Sequence, residues 1–117
     1  MKVKRIVADF AATDPAAARS FYEDVLGLRL VMDQGSILTF AADSKAAPQI
    51  SIASEGGSGT PVPDLSVEVD DVDEAYRRAV SAGAEIVYGM ADEPWGVRRF
   101  FVRDPLGRLI NILSHAS

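Results

Sequence analysis

Along the chain, the spacing of apolar residues alternates between that typical of a strand and that typical of a helix. The order of strands and helix that this spacing predicts occurs twice. The apolar-rich run VKRIVADF at 3–10 predicts a strand. Asp14 and Pro15 suit a helix start, and the stripe of apolar positions that follows predicts a helix to about Leu26, ended by Gly27. The runs LRLVMD, SILTFA and QISIAS then predict three strands. The first half therefore has the predicted order βαβββ.

The second half of the chain repeats this order. LSVEV at 65–69 predicts a strand, and Asp70 or Asp71 is placed to cap a helix that ends at Gly83. Three further strands are predicted by AEIVY, VRRFFVR and RLINILS, with DPLG as the turn between the last two. Asp70 and Gly83 have the same spacing as Asp14 and Gly27, which indicates an internal duplication.

Two such modules predict an α+β fold, in which duplicated βαβββ modules form mixed sheets around a concave groove. We place module 1 at about 1–54 and module 2 at about 64–117, in a single domain covering 1–117. A linker rich in Gly, Ser and Pro separates them at about 55–63. One helix can cover only one side of each sheet, so the other side must face a ligand, water or a partner.

Composition limits the possible function classes. The chain has 117 residues, of which 48% are hydrophobic, enough for a core without disulfides or a structural metal. Its formal charge of −5 disfavours nucleic acid and anionic membranes as partners. It has no cysteine, which excludes thiolate catalysis and cysteine zinc sites. No apolar run approaches the roughly 20 residues of a membrane span, and we expect a cytoplasmic protein.

Three stretches together resemble a known superfamily. They are RSFYEDVLGLRL at 19–30, VEVDDVDEA at 67–75, and the run at 94–112 that contains PWG and DPLGRLINI. With the duplicated order, they resemble the vicinal oxygen chelate superfamily, which contains glyoxalase I, extradiol dioxygenases and bleomycin-resistance proteins. The resemblance covers almost the whole chain and implies the glyoxalase/bleomycin resistance fold.

The resemblance also implies where a metal would bind, because enzymes of that superfamily hold a divalent ion through His or Glu side chains on four strands. The matching positions here are Val7, Ser51 (or Gln49), Asp64 and Asn111. Only Asp64 is an ordinary hard ligand, and a neutral amide binds transition metals weakly. We therefore expect no metal, no other cofactor and no catalytic residue of the superfamily type.

Alternation along the strands sorts side chains into two faces. On the first strand, this alternation places Arg5, Val7 and Asp9 on the face toward the groove. The alternate residues Ile6, Ala8 and Phe10 then lie on the face toward the helix and are expected to be buried. On LSVEV, the alternation groups Ser66 and Glu68 with Asp64. A hairpin through DPLG that pairs Phe100 with Asn111, and Arg98 with Leu113, places these four on the groove face. The alternative is that Arg5, Asp9, Glu68 and Arg98 form ion pairs at a wet surface.

Trp95, in the loop EPWG, is the only tryptophan. A large ring between Pro and Gly can stack on a flat or cationic ligand, or it can pack against the other half or a dimer partner. His115, near the end of the chain, reads as a solvated side chain. The complete set of expected ligand-binding residues is Asp9, Ser51, Asp64, Glu68, Trp95, Arg98, Phe100 and Asn111.

These features favour a metal-free small-molecule binding protein of the bleomycin-resistance type, which would sequester an aromatic or cationic, antibiotic-like compound. Two alternatives stay open. One is a lyase, isomerase or dioxygenase of the superfamily with an atypical metal site around Asp9, Asp64 and Glu68. The other is a non-catalytic dimerisation or regulatory module. The uncovered sheet faces predict a homodimer in each case.

Overall fold

The computed structural model describes residues 1–25, 28–43, 49–105 and 107–115. Its strands are Val3–Ala11 (β1), Arg29–Asp33 (β2), Ile37–Ala41 (β3), Gln49–Ala53 (β4), Leu65–Val69 (β5), Ile86–Glu93 (β6), Val97–Arg103 (β7) and Leu109–His115 (β8), and its α-helix is Val72–Ser81 (α1). The duplicated α+β order is thereby confirmed. The chain forms two compact units, one of Val7–Val62 and one of Met1–Ile6 with Pro63–Ser117.

In the unit Val7–Val62, the strands follow the order β2-β3-β4-β1. β1 is parallel to β4, and the other neighbours are antiparallel. One face carries a core of Leu38, Phe40 and Ile52, against which Ala18 and Tyr22 pack. The rings of Tyr22 and Phe40 stack with their centroids 5.4 Å apart.

The first predicted helix takes a different form. A 3₁₀ turn covers Pro15–Ala18 and a π-helical turn covers Ser20–Val25, while Leu26 and Gly27 lie outside the described residues. Asp14 makes no side-chain cap, and its backbone carbonyl accepts the N–H of Ala17 at 3.1 Å instead. The predicted helical segment that begins at Pro15 is therefore confirmed as far as Val25, but its turns are 3₁₀ and π in type instead of regular α-helix.

In the second unit, the strands follow the order β5-β8-β7-β6, with β5 parallel to β8 and the other pairs antiparallel. The predicted caps of α1 are confirmed: Asp71 accepts the N–H of Glu74 at 3.1 Å, and Gly83 has a positive φ of 73°. The helix covers one face of the sheet through a core of Val69, Val72, Ala75, Phe100 and Val102.

The stretch predicted as a linker contains a closed loop. The N–H of Gly56 donates to the carbonyl of Thr60 at 2.8 Å, and the hydroxyl of Thr60 donates to the carbonyl of Gly57 at 2.7 Å. A β-carbon at Gly56 would overlap the carbonyl oxygen of Pro61. Glycine is therefore required there by close backbone approach.

The β7–β8 hairpin differs from its predicted register by one residue. Phe101 pairs with Asn111, and Arg99 pairs with Leu113. The hairpin closes at Asp104, whose N–H donates to the carbonyl of Arg108 at 2.9 Å. An odd number of residues lies between these two, which shifts the pairing relative to an even-numbered turn.

The described residues contain no helix long and apolar enough to cross a membrane.

Candidate functional site

The sheet of the second unit has a face opposite α1, which we call the site face. Its members alternate along each strand with the residues that contact the helix, and they align across the sheet in two rows. The first row is Ser66, Asn111, Phe101 and Tyr88; the second is Glu68, Leu113, Arg99 and Ala91. Glu93 and His115 both lie opposite Val97, beyond these rows, and their side chains reach back to Arg99 and Glu68, respectively.

A buried ion pair lies at the β6–β7 side of the site face. Arg99 donates from Nε to Oε2 of Glu93 at 2.8 Å, and its Nη2 lies 2.7 Å from the same oxygen. The side chains are only 4% and 5% exposed, respectively. The hydroxyl of Tyr88 donates to Oε1 of Glu93 at 3.2 Å. Removing either charge would leave the other buried without its counter-charge, so the pair fixes this part of the sheet.

Three aromatic rings surround the guanidinium of Arg99. Its Cζ lies 5.1 Å from the ring centroid of Trp95, 5.4 Å from that of Tyr88 and 4.8 Å from that of Phe101. Trp95 is half-buried, whereas Phe101 is fully buried. The indole of Trp95 thus packs on the guanidinium of Arg99, within its own unit, and leaves part of its surface exposed to solvent. Its ligand role stays a prediction.

Asn111 is an incompletely satisfied polar residue on the site face. It is 7% exposed, and its Nδ2 donates to Oγ of Ser66 at 3.1 Å. Its Oδ1 is buried and has no hydrogen-bond partner among the described residues. An unpaired buried amide oxygen costs roughly 1–3 kcal/mol, which a hydrogen-bond donor would offset.

Glu68 is held from two sides. Its Oε1 lies 3.2 Å from Nε of Arg5, and its Oε2 lies 2.9 Å from Nδ1 of His115. The contact of Arg5 with Glu68 agrees with the ion-pair interpretation of these residues. The side chain of His115 is about half exposed, as expected for a solvated histidine, and it also contacts Glu68. The parallel pairing of β5 with β8 produces this contact and is absent from local sequence patterns.

Arg98 and Phe100 lie on the opposite face from the one predicted. The ring of Phe100 is fully buried and meets that of Tyr76 of α1 edge to face, at 5.1 Å. Arg98 forms ion pairs with Asp73 of α1 at 3.0 Å and with Asp92 at 2.9 Å. Hydrogen bonds to these two carboxylates raise the pKa of Arg98. The one-residue change of register moves both side chains to the helix side.

Asp9 and Ser51 belong to the other unit, where they pair across β1 and β4. The hydroxyl of Ser51 is buried and lies 2.8 Å from that of Thr39, which it faces on β3. The apolar side chains of Ile6 and Phe10 were predicted to be buried, and this was wrong, since they are 56% and 49% exposed. The described helical turns pack on β3 and β4 and leave these two uncovered.

The four positions matched to the superfamily's metal ligands do not fit a divalent metal. Val7 has no donor atom, and Ser51 is engaged with Thr39. Asp64 accepts the N–H of Leu109 at 2.8 Å, and Asn111 offers a neutral amide. Nowhere in the described ranges do three or more His, Cys, Asp or Glu side chains group to hold a metal ion. The arrangement lacks the anionic or imidazole donors that bind such ions tightly.

Sequence reasoning missed Glu93 and Arg99, which form a buried ion pair on the site face, and Tyr88, which donates a hydrogen bond to Glu93. Arg99 is two residues from Phe101, and the two share a face once Phe101 is paired with Asn111. Recognising Asp104 and Arg108 as the closing pair of the hairpin would have revealed this. Glu93 ends β6 directly before the Trp95 loop. No local signal distinguishes its buried carboxylate from the exposed one of Asp92.

Comparison with known proteins agrees with this fold. The model of the Glyoxalase/Bleomycin resistance protein/Dioxygenase superfamily matches residues 3–112. A stretch of 49 residues, 42% of this chain, is 45% identical to an uncharacterized protein of Mycobacterium tuberculosis and covers 28% of that protein. The same stretch length and identity are found with an uncharacterized protein of Mycobacterium bovis, of which 32% is covered. The chain thus spans less than two thirds of the curated relatives it matches.

Several solved structures share the fold. A superfamily member from Vibrio splendidus has a TM-score of 0.69 at 20% identity, covering 97% of this chain and 99% of that one. Methylmalonyl-CoA epimerase from Mycobacterium tuberculosis has a TM-score of 0.63 at 23% identity, covering 98% and 88%. A protein from Legionella pneumophila described as an NAD-dependent benzaldehyde dehydrogenase has a TM-score of 0.77 at 18% identity, covering 94% and 98%. At such identities the likeness shows the fold alone.

Proposed function

Since the chain belongs to the glyoxalase/bleomycin resistance protein/dioxygenase superfamily, we propose that it binds a small aromatic or cationic molecule without the divalent metal used by enzymes of that superfamily. Binding would be by sequestration, as in bleomycin-resistance proteins, with an antibiotic-like compound as the ligand.

The observation that carries the proposal is the setting of Trp95. The indole is backed by the guanidinium of Arg99 at 5.1 Å, and the buried carboxylate of Glu93 holds that guanidinium. A flat ring that is fixed before the ligand arrives loses little conformational entropy on binding. An aromatic ligand stacked on it gains about 0.5–1.5 kcal/mol beyond the burial of its surface.

Metal independence is supported by the donor atoms at the four matched positions. They include a single carboxylate, that of Asp64, which already accepts a backbone hydrogen bond from Leu109. A site with one carboxylate that is already hydrogen-bonded does not support a mechanism in which a bound metal ion polarises an oxygen of the ligand.

Fluorescence of Trp95 gives a direct test, because it is the only tryptophan. Protein dialysed against EDTA is titrated with bleomycin, 2-naphthol and 2-naphthylmethylammonium. We expect saturable quenching or a spectral shift with at least one of them. In calorimetry, Trp95→Leu should weaken that binding, whereas Val80→Ala, at an exposed position of α1, should leave it unchanged. The absence of binding by every compound would contradict the proposal.

One alternative function is a superfamily enzyme with an atypical metal site. It is considered because one structural neighbour is an epimerase. Elemental analysis of the natively purified protein separates the two functions. A stoichiometric divalent metal would favour the enzyme, and its absence would favour the binding protein. A regulatory module would show neither metal nor ligand-induced stabilisation.

We further propose that the chain forms a homodimer. The exposed apolar side chains on β1, which include Val3, Ile6 and Phe10, support this proposal because such surface is costly in water. Sedimentation equilibrium on the wild type and on Phe10→Ser tests it. We expect a dimer for the wild type and weakened association for the variant; a monomeric wild type would contradict the proposal.

A further inference from the structure

We propose that the ligand of the site face is an uncharged aromatic molecule whose hydrogen-bond donor, a hydroxyl or amide N–H, is accepted by Oδ1 of Asn111. This inference rests on the proposed function and narrows its ligand class, which included cationic compounds.

The need for a donor follows from the hydrogen bonding of Asn111. The side-chain nitrogen already donates to Ser66 at 3.1 Å, whereas the oxygen is buried without a described partner. An acceptor in this state has lost its water and gained nothing in exchange. A ligand that brings an O–H or N–H recovers that loss, whereas a ligand that brings only an acceptor does not.

We infer that the ligand is aromatic from the row of side chains in which Asn111 lies. Its partner across the hairpin is Phe101, and the ring of Tyr88 meets that of Phe101 at 5.4 Å with an interplanar angle of 62°. The amide is therefore flanked on one side by the hydroxyl of Ser66 and on the other by two rings. A flat ring that carries a polar substituent matches this sequence of surfaces.

The absence of charge on the ligand follows from the pairing of the charged groups that face it. Arg99 is neutralised by Glu93, and Glu68 contacts both Arg5 and His115. A cation or an anion brought to Asn111 would lose its hydration and meet an amide in place of an opposite charge. A neutral donor avoids this cost.

Isothermal titration calorimetry at pH 7 in metal-free buffer tests the inference with four probes of one shape. The probes are 2-naphthol, which has a donor; 2-methoxynaphthalene, which has only an acceptor; 2-naphthoate, an anion; and 2-naphthylmethylammonium, a cation. We expect 2-naphthol to bind at least tenfold more tightly than each of the others.

The outcomes separate the inference from the function on which it rests. If the cation binds most tightly, or the methoxy compound equals the naphthol, the inference is overturned while small-molecule binding stands. If the anion binds most tightly, the inference is likewise overturned. If none of the four binds, and bleomycin does not bind either, both the inference and the proposed function fail.

Variants of Asn111 distinguish ligand contact from a structural role. Asn111→Leu should lose the tenfold preference for 2-naphthol over 2-methoxynaphthalene while unfolding at the same or a higher temperature, because the unpaired acceptor is gone. Asn111→Asp should shift the preference toward the cation. If the leucine variant does not fold, Asn111→Ser provides the same test, because the shorter serine side chain holds its oxygen closer to the backbone. Retention of the naphthol preference in a folded leucine or serine variant would overturn the assignment.

Discussion

Asn111 lies directly opposite Phe101 across the β7–β8 hairpin, and this pairing places both on the sheet face that α1 leaves uncovered. The neighbouring residue, Phe100, consequently points at the helix. A single step in register thus decides which of two adjacent phenylalanines lies on the site face and which contacts the helix.

Replacement of Phe100 by Leu should therefore affect stability and leave ligand affinity nearly unchanged. The ring is fully buried against Tyr76, and we expect the free energy of unfolding to fall by about 1–3 kcal/mol. Urea denaturation measures the stability and calorimetry with 2-naphthol measures the affinity. A large loss of affinity at unchanged stability would indicate that Phe100 contacts the ligand. It would contradict the β7–β8 register, which places Phe100 on the helix side.

The Glu93–Arg99 pair should show strong coupling in a double-mutant cycle. Glu93→Gln and Arg99→Met each leave a buried charge without its partner, at an expected cost of about 3–5 kcal/mol. The double variant should be less destabilised than the sum of the two single variants. Arg98→Ala is the matched control, and its ion pairs are exposed, so little change is expected. Additive effects in urea denaturation would show that the pair is not coupled.

Local signals predicted much of this fold. Asp71 and Gly83 bracket α1 as their preferences require, and LSVEV and VRRFFVR match β5 and β7 residue for residue. The errors arose where distant partners decide the outcome. Tyr22 packs on Phe40 from a turn that is not a regular α-helix.

The candidate site was predicted less completely than the fold. Trp95 and Asn111 were named because their residue types stand out, and the structure places them on one unit with a polar network between β6 and β7. Arg99 and Glu93 were missed because the burial of an ion pair depends on register and on aromatic neighbours from other strands. Such information is not contained in the alternation of a single strand.

Gly56→Ala should destabilise the closed loop at 56–61. The added methyl group would overlap the carbonyl oxygen of Pro61, and relief requires a backbone shift, at an expected cost of about 1–3 kcal/mol. The control is Gly89→Ala, where an added β-carbon meets nothing within 4 Å. Thermal unfolding should show a lower midpoint for the first variant only. Equal midpoints would indicate that the loop yields at negligible cost.

Stability should decrease as the pH falls through the ordinary range of carboxyl titration, near pH 4. Hydrogen bonds from Arg77 and Arg78 lower the pKa of Glu74, and the backbone N–H of Lys2 lowers that of Asp70. A depressed pKa in the folded state gives stability that is present above the unfolded pKa and lost as pH falls through the folded one.

Glu74→Gln and Asp70→Asn should therefore reduce the dependence of unfolding free energy on pH in that range, most clearly when combined. Urea denaturation between pH 3 and 7 provides the measurement. An acid dependence identical to that of the wild type would show that these two carboxylates do not contribute to it.

The central claim, binding of a small aromatic molecule without a metal, is tested most directly by calorimetric titration of 2-naphthol into protein stripped with EDTA, before and after addition of stoichiometric Zn²⁺. We predict the same affinity in both cases, because the positions of Val7, Ser51, Asp64 and Asn111 do not provide a metal site. Binding that is lost after EDTA treatment and restored by the metal would contradict the claim.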